Sequence, residues 1–528
     1  MTLGDILNLK KEQKIAIIGL GKENLQFLEW LLNVAKIDPT QLILADKKEV
    51  ELSQILKSKI EGYKTFFGEN YLEALMDPAV EYVFKAPGIW SLKPEFEAFR
   101  KSKGVDRVNS SLIFFIQKYR TQIAGVTGTK GKSTTSALIN HLLNSFSPKS
   151  STYCGNTTGI SPYQFWTELD QEIDPMVFYV LELSSFQLQD LQYARLSPKF
   201  AMITNYFLDH QDQHQTPQEY WQSKDAIFEN QTDSDITFYT QTVLDKSQNR
   251  ESLQKTKNIL ISDIESSNLQ NYIKSPLLGQ HNQSNVDQAV AIVAAIRLKS
   301  EGRLGDKADI SEELKSNRFK YQTIVNKFKG LPHRLELIRS IETDIEVNNR
   351  FLPFKINFYD DGYATEPNAV SAAIKALTEH NGEFLWLQIT GVDKGSTLED
   401  LVTTILYKEI ENKTFRIDYC GNVGQRVLNS IYEILGTNQN VPNEKFRETI
   451  LNNFTNINEI KTNFTRFLQE LLDNYQSLGN FQKIHEIISK NQIVLNIALS
   501  PCGSSFDEFN NYTERCQWWI EQVLKIEE

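Results

Sequence analysis

Short runs of consecutive apolar residues recur along this chain, each followed by a stretch with helical spacing. Residues 14–19, 41–46 and 82–86 are such runs, and they predict three buried strands. A helical stretch at 25–34 lies between the first two, so the region reads as parallel βαβ units. A second α/β region opens with a strand at 122–126 and a helix at 135–146, whose Leu138, Leu142, Leu143 and Phe146 fall on one face. Its later strands are predicted at 176–183 and 199–204, and it runs to about residue 330. A third region has strands near 355–360, 384–390 and 492–499. Residues 425–490 are rich in Asn, Gln, Lys and Glu, with amphipathic pieces such as 464–472, and read as a helical elaboration of that third region. The pattern predicts an α/β protein of three domains, 1–115, 116–330 and 331–528.

Composition narrows this picture without changing it. At 528 residues, 40% hydrophobic and 23% charged, the chain is an ordinary globular one, too long for a single core. A net charge of −11 argues against a nucleic-acid-binding face, which has to neutralise phosphates. Cys154, Cys420, Cys502 and Cys516 are scattered without metal-ligand spacing and read as reduced thiols. The first residues lack a signal-peptide layout, and no apolar run approaches transmembrane length. The expectation is a cytoplasmic protein with no membrane insertion.

The strongest chemical signal is Gly125-Val126-Thr127-Gly128-Thr129-Lys130-Gly131-Lys132-Ser133-Thr134. A glycine-rich turn between a strand and a helix aims backbone N–H groups and the helix N-terminus at an anion. Lys132 would reach the outer phosphates of a nucleoside triphosphate, and Ser133 or Thr134 would hold Mg²⁺. The glycines fall at 125, 128 and 131, a departure from the common spacing, since Val126 stands five residues before Gly131.

Four further strand ends carry polar groups. Gly19-Leu20-Gly21-Lys22-Glu23-Asn24 opens a helix as a dinucleotide loop does, but with Asn24 where a third glycine would stand. Asp46 ends the second strand and could accept hydrogen bonds from a ribose or a base. Glu182 closes the apolar run before Leu183-Ser184-Ser185-Phe186-Gln187, where a carboxylate is costly unless paired or bound to metal. Asp209-His210-Gln211-Asp212 follows the next strand, and His210 reads as functional because of its company.

These pieces, in this order, resemble the Mur ligase family, the ATP-dependent amide ligases of cell-wall precursor synthesis, and among them the members that add D-glutamate. The matching stretches also include Gly279-Gln280-His281-Asn282-Gln283-Ser284-Asn285, Gly330-Leu331-Pro332-His333-Arg334-Leu335-Glu336, Asp393-Lys394-Gly395 and Leu499-Ser500-Pro501 through Ser505-Phe506-Asp507. The resemblance implies a Rossmann-like N-terminal domain for a UDP-sugar, a central P-loop ATPase-type domain, and a Rossmann-like C-terminal domain for an amino acid. It implies that Gly128, Thr129, Lys130, Gly131, Lys132, Ser133 and Thr134 hold ATP phosphates. Asn282 and Asn285 would face the adenine, with Arg334 and Asp361 near the rest of the nucleotide. Ser133, Glu182, His210 and Lys224 would hold Mg²⁺, two ions being expected. Lys224 aligns with a lysine that the family carbamylates, and Lys132, His210 and Lys224 are the expected catalytic groups. From the sequence by itself Lys224 is a helix-surface lysine.

Gly21, Asp46, Pro87, Gly88 and Asn156 would meet the UDP substrate, and Thr365, Lys394, Ser505, Phe506 and Tyr512 the incoming amino acid. The implied substrates are UDP-N-acetylmuramoyl-L-alanine, D-glutamate and ATP, taken by a monomer through an acyl phosphate. Three positions depart from the family pattern. Ala86 replaces a usual serine and Asn24 a glycine. Asp361-Gly362-Tyr363-Ala364-Thr365 stands where Asp-Ser-Lys-Ala-Thr is frequent, so Tyr363 removes a cation. A sibling ligase with another acceptor, or a non-catalytic nucleotide-binding relative, are the alternatives.

Overall fold

The computed structural model describes residues 3–50, 63–154, 177–207, 216–254, 258–265, 273–347, 349–379, 383–411, 415–436, 454–476 and 493–527. Two compact units result, Met1–Pro276 with His281–Phe328, and Leu277–Gln280 with Lys329–Glu528. The first contains two sheets and the second one. Among the described residues no helix is long and apolar enough to cross a membrane.

The first sheet is built from β1 (Lys14–Ile18), β2 (Leu42–Asp46), β3 (Lys64–Phe67), β4 (Val80–Lys85) and β5 (Val108–Asn109), in the order β3-β2-β1-β4-β5, all parallel. Helices α1 (Lys22–Asn33), α2 (Pro94–Lys103) and α3 (Ser111–Tyr119) accompany it. The inner strands are buried almost throughout, as parallel strands covered on both faces must be. That is why their sequences are unbroken apolar runs. β3 is an edge strand with half its residues exposed, so its Lys-Thr-Phe-Phe lacks that signature.

The second sheet comprises β6 (Ile123–Thr127), β7 (Ser151–Cys154), β8 (Phe178–Glu182), β9 (Phe200–Ile203), β10 (Ile236–Tyr239) and β11 (Ile259–Leu260), ordered β11-β10-β9-β6-β8-β7 and again parallel. Its principal helices are α4 (Lys132–Phe146), α5 (Ser185–Ala194), α6 (Pro217–Glu229) and α7 (Gln280–Ser300). β6 sits between β8 and β9, so the carboxyl ends of all three strands open on the same edge.

Helix α3 joins these two sheets. Leu112, Ile113, Phe114, Phe115 and Ile116 are all buried, leaving no solvent face in the middle of the helix. On one side Phe114 packs on Phe84 of β4, with ring centroids 5.2 Å apart. On the other, Phe115 meets Tyr179 of β8 edge-on at 4.8 Å. A buried ion pair crosses the same junction. Lys85, the last residue of β4, donates to Asp190 of α5 at 3.0 Å, and Ser91 Oγ donates to the other carboxylate oxygen at 2.6 Å. Neither Lys85 nor Asp190 is appreciably exposed.

The second unit has one sheet, β12 (Glu336–Val347), β13 (Arg350–Asp360), β14 (Glu383–Thr390), β15 (Phe415–Tyr419) and β16 (Ile493–Cys502), ordered β12-β13-β16-β14-β15. β12 runs antiparallel to β13 and the rest are parallel, so the expected parallel strands acquire an antiparallel edge. Asn349, at φ 59, turns that hairpin, because asparagine tolerates the left-handed region. Helices α8 (Pro367–Leu377), α9 (Glu399–Glu411), α10 (Gly421–Leu435), α11 (Ile457–Gln476) and α12 (Tyr512–Lys525) complete it. Within the expected helical elaboration, α11 buries Ile457, Ile460, Phe464 and Leu468 at helical spacing against β13, β14 and their neighbours. Residues 437–453 and 477–490 of that segment lie outside the described residues.

Replacing Lys85 by methionine strands the Asp190 carboxylate in the interior, a change expected to cost roughly 3–5 kcal/mol. The double variant Lys85→Met/Asp190→Leu should recover much of that loss. Thermal denaturation of both proteins checks this, and a double variant no more stable than the single one would contradict it.

Candidate functional site

The site in the first unit grows from the end of β6. Every residue of that strand is buried, and the chain then turns through Gly128 and Gly131, at φ 139 and 84, into α4. Both angles are ones that glycine adopts without strain. Space demands glycine as well. A Cβ on Gly128 would lie 2.0 Å from Thr204 Oγ1, and one on Gly131 would lie 2.4 Å from Asn285 Oδ1.

Neighbouring strand ends hold the loop. Thr127 Oγ1 donates to the Leu183 carbonyl at 2.8 Å, and the Thr204 N–H donates to the Thr127 carbonyl at 2.9 Å. Thr204 Oγ1 donates to the Lys130 carbonyl at 2.6 Å, while the Lys130 N–H donates to Asn205 Oδ1 at 2.9 Å. Phe207 N–H and Tyr220 OH both donate to Thr129 Oγ1, at 3.0 and 3.5 Å. The Lys132 ammonium lies over the loop, donating to the carbonyls of Gly128 and Thr129 at 2.9 and 3.0 Å.

Ser133, the second residue of α4, donates to Glu182 Oε1 at 3.0 Å, and Tyr153 OH donates to Oε2 at 2.9 Å. Glu182 is buried, so its charge depends on these partners. A hydroxyl and a carboxylate oxygen at hydrogen-bond distance, beside a phosphate-type loop, form a donor set that fits a hard cation such as Mg²⁺. Asn285 of α7 contacts Thr135 Oγ1 at 3.3 Å and donates to Asn282 Oδ1 at 3.1 Å, which puts both asparagines beside the loop. Thr134 is buried behind Ser133. His210 and Asn156 lie outside the described residues.

Lys224 corrects the expectation of a helix-surface lysine. It is buried in α6, its ammonium 4.4 Å from the centroid of the Tyr220 ring. The reason is that α6 turns the face carrying Tyr220, Ser223, Lys224, Ile227 and Phe228 inward, a breadth its polar residues conceal. Next to it, Asp225 accepts from Tyr206 OH at 2.7 Å and Ser247 Oγ at 2.9 Å. Burial nevertheless pushes its carboxyl up to about 6.

At the first sheet the loops after β1 and β4 touch, at the point where strand order reverses. Gly19, at φ 83, leaves no room for a Cβ against Ala86 and Ile89. Asp46 accepts from the N–H groups of Leu20 at 2.6 Å and Lys48 at 3.0 Å, so its carboxylate shapes this rim. Gly21 and Gly88 have open space around them, and Pro87 lies between the same two loops. Asn24, in place of the third glycine, is fully buried and donates to the Gly19 carbonyl at 2.8 Å.

The second unit gathers its own polar set at the ends of β13, β16 and β14. Asp361 accepts from Ser500 Oγ at 2.8 Å and from the Leu335 N–H at 3.1 Å. Burial pushes its carboxyl up to about 7, with the neighbouring Asp360 adding to the rise. Arg334 stacks over the Tyr363 ring at 4.2 Å, and Tyr363 meets Tyr512 edge-on at 5.3 Å. Lys394 Nζ pairs with Glu366 at 3.3 Å, whose other oxygen accepts from Ser396 Oγ at 2.6 Å. The loop carrying Lys394 is joined to the loop of Ser505 by reciprocal Val392–Ser504 backbone bonds. Thr365 is half-buried, Ser505 is buried, and Phe506 is largely exposed.

Sequence reasoning missed Tyr153, Thr204, Asn205 and Glu366. Tyr153 lies in a four-residue strand with no pattern of its own. Thr204 and Asn205, at the end of the strand expected at 199–204, could have been found from that position.

Residues 126–293 match the profile of the Mur ligase middle domain. Beyond it, the chain is 28% identical over 381 residues to UDP-N-acetylmuramoylalanine–D-glutamate ligase of Clostridium kluyveri, covering 71% of this chain and 75% of that one. It is 26% identical over 425 residues to the enzyme of the same name from Symbiobacterium thermophilum, covering 76% and 82%. Among solved structures, UDP-N-acetylmuramate–alanine ligase from Thermotoga maritima aligns over 97% of this chain and 99% of its own, with 16% identity and a TM-score of 0.45.

The raised Asp225 carboxyl carries a sign. Its folded value of about 6 exceeds the unfolded value of about 4, so its contribution to stability is present at low pH and lost as pH rises to about 6. The stability of the unsubstituted protein relative to Asp225→Asn should therefore fall by up to ~3 kcal/mol from pH 4 to 7 and level off above that. Denaturant titrations of both proteins across that range provide the check. A difference independent of pH would show that the carboxyl is not shifted.

Proposed function

We propose that this protein is an ATP-dependent ligase that adds D-glutamate to UDP-N-acetylmuramoyl-L-alanine in peptidoglycan precursor synthesis. The observation that carries the reading is the Ser133–Glu182 contact beneath a glycine loop that carries Lys132, within a Mur ligase middle domain. The named relatives supply the substrates.

In this reading the substrate carboxylate attacks the γ-phosphorus of ATP, giving an acyl phosphate and ADP. The D-glutamate amine then attacks the acyl carbon, loses a proton, and phosphate leaves. The N–H groups of Gly128–Thr134 would cradle the phosphates, and Lys132 would exchange its two loop carbonyls for phosphate oxygens. Ser133 and Glu182, with His210 and Lys224, would hold Mg²⁺, which when bound neutralises charge on the phosphate oxygens. Carbamylated Lys224 is part of the same reading, and its burial places it inside the unit with the loop and not on the helix surface. Asn282, Asn285, Arg334 and Asp361 are proposed for the nucleotide. Gly21, Asp46, Pro87, Gly88 and Asn156 are proposed for the UDP-sugar, and Thr365, Lys394, Ser505, Phe506 and Tyr512 for the acceptor. A monomer working in the cytoplasm is part of the same reading.

One observation favours a second reading, a sibling ligase with a different acceptor. Glu366 occupies Lys394, the cation proposed to receive the acceptor's carboxylate, and Tyr363 stands where another cation is frequent. The deciding experiment measures phosphate release from ATP with UDP-N-acetylmuramoyl-L-alanine and each amino acid added singly, with the product identified by mass spectrometry. Release and an amide product with D-glutamate are expected. Activity with another amino acid alone would establish the second reading, and silence with all of them would overturn both. Lys132→Ala should slow the reaction by roughly a hundredfold or more, about 3 kcal/mol of barrier. Near-normal turnover in that variant would remove the phosphate loop from the mechanism.

A further inference from the structure

His333, Asp360 and Cys516, none of which is given a role above, converge in the second unit beside Arg334 and Asp361. Their ligand atoms all lie within 4.8 Å of one another. They come from three separate elements. His333 is in the loop before β12, Asp360 is the last residue of β13, and Cys516 lies in the second turn of α12. His333 Nδ1 is 2.6 Å from Asp360 Oδ2, and the Asp360 Oδ1 atom accepts from the Gly362 N–H at 2.9 Å.

Gly362 supplies a second, independent observation. Its φ does not lie in the left-handed region, so backbone conformation does not require glycine there. Space does, because a Cβ at 362 would lie 2.1 Å from Cys516 Sγ. The glycine leaves room for the sulfur to reach the carboxylate and the imidazole. Asp360 and Cys516 are buried, while His333 retains about one fifth of its side-chain exposure and supplies an entry. The loop that presents the imidazole is fixed. His333, at φ 61, donates its N–H to Glu336 at 3.0 Å, and its carbonyl accepts from the Tyr363 N–H at 3.1 Å.

We propose that His333, Asp360 and Cys516 form a three-ligand site for a borderline-soft divalent cation of the zinc class. One imidazole nitrogen, one carboxylate oxygen and one sulfur are the donors such ions take, at about 2.0–2.3 Å, with a fourth position left for water. Ligand atoms around such an ion stand roughly 3.3–3.8 Å apart, so a small opening of the His333–Asp360 contact admits it. The hard ion expected at Ser133 and Glu182 prefers oxygen donors and would not compete for a thiolate. Binding displaces the Cys516 thiol proton to solvent, and burial beside Asp360, which raises that thiol, makes uptake weaken as pH falls. The site adjoins Arg334 and Asp361, but its assignment rests on these three side chains and is tested by metal binding alone.

The test titrates Co²⁺ alone into the full-length, reduced, metal-free protein and follows the near-ultraviolet thiolate-to-cobalt band with the visible ligand-field bands. Saturation at one equivalent is expected, with displacement by Zn²⁺ and no effect of excess Mg²⁺. Cys516→Ser and His333→Asn should each lower the affinity by tenfold or more, and Cys516→Ser should abolish the ultraviolet band. A band that survives in Cys516→Ser would overturn the assignment. So would its absence from the unsubstituted protein, a reading that needs no variant to fold.

Discussion

At two points in the loop after β6 the backbone passes so close to its neighbours that only a hydrogen atom fits. Gly128 faces Thr204 and Gly131 faces Asn285, and a single added carbon at either would overlap the oxygen opposite. Everything polar in that site depends on this approach. It brings the ends of β6, β8 and β9 within bonding distance through Thr127, Leu183 and Thr204. It also seats the first turn of α4 so that Ser133 reaches Glu182. The loop is thus pre-shaped by protein contacts, and little ordering is left for a ligand to impose.

The two polar sets differ in character. In the first unit Thr127, Thr129, Ser133, Tyr153, Glu182, Thr204 and Asn285 are buried and bonded to another element, so that part of the arrangement is fixed by packing. In the second, Tyr363, Tyr512 and Phe506 expose much of their rings, and Lys394 is held by a half-exposed Glu366. An exposed ion pair is worth little and exchanges easily.

The sequence disclosed the elements whose burial is complete and uniform. β1, β2, β4, β6, β8, β9 and β16 are largely apolar runs because both faces are covered, and the glycine-rich loop lies within a continuous ten-residue stretch. What it hid was either short, at an edge, or dependent on distant partners. β3 and β7 have four residues each, and β11 has two. β12 alternates between exposed and covered positions, as an antiparallel edge does. Lys224 looked like a surface lysine because polar residues flank it on an inward-facing helix. Lys85 and Asp190 are 105 positions apart, and no local pattern could pair them.

Helix α3 has a practical meaning for anyone dissecting this molecule. A boundary drawn from sequence at residue 115 falls in its middle, between Phe115 and Ile116, where both sheets bury their rings. Either fragment cut there would carry part of a greasy helix with no partner for one side. Such pieces would be expected to precipitate on expression even though each retains a complete sheet. The two sheets belong to one compact unit and share a helix, and the smallest fragment worth making from this end of the chain keeps both.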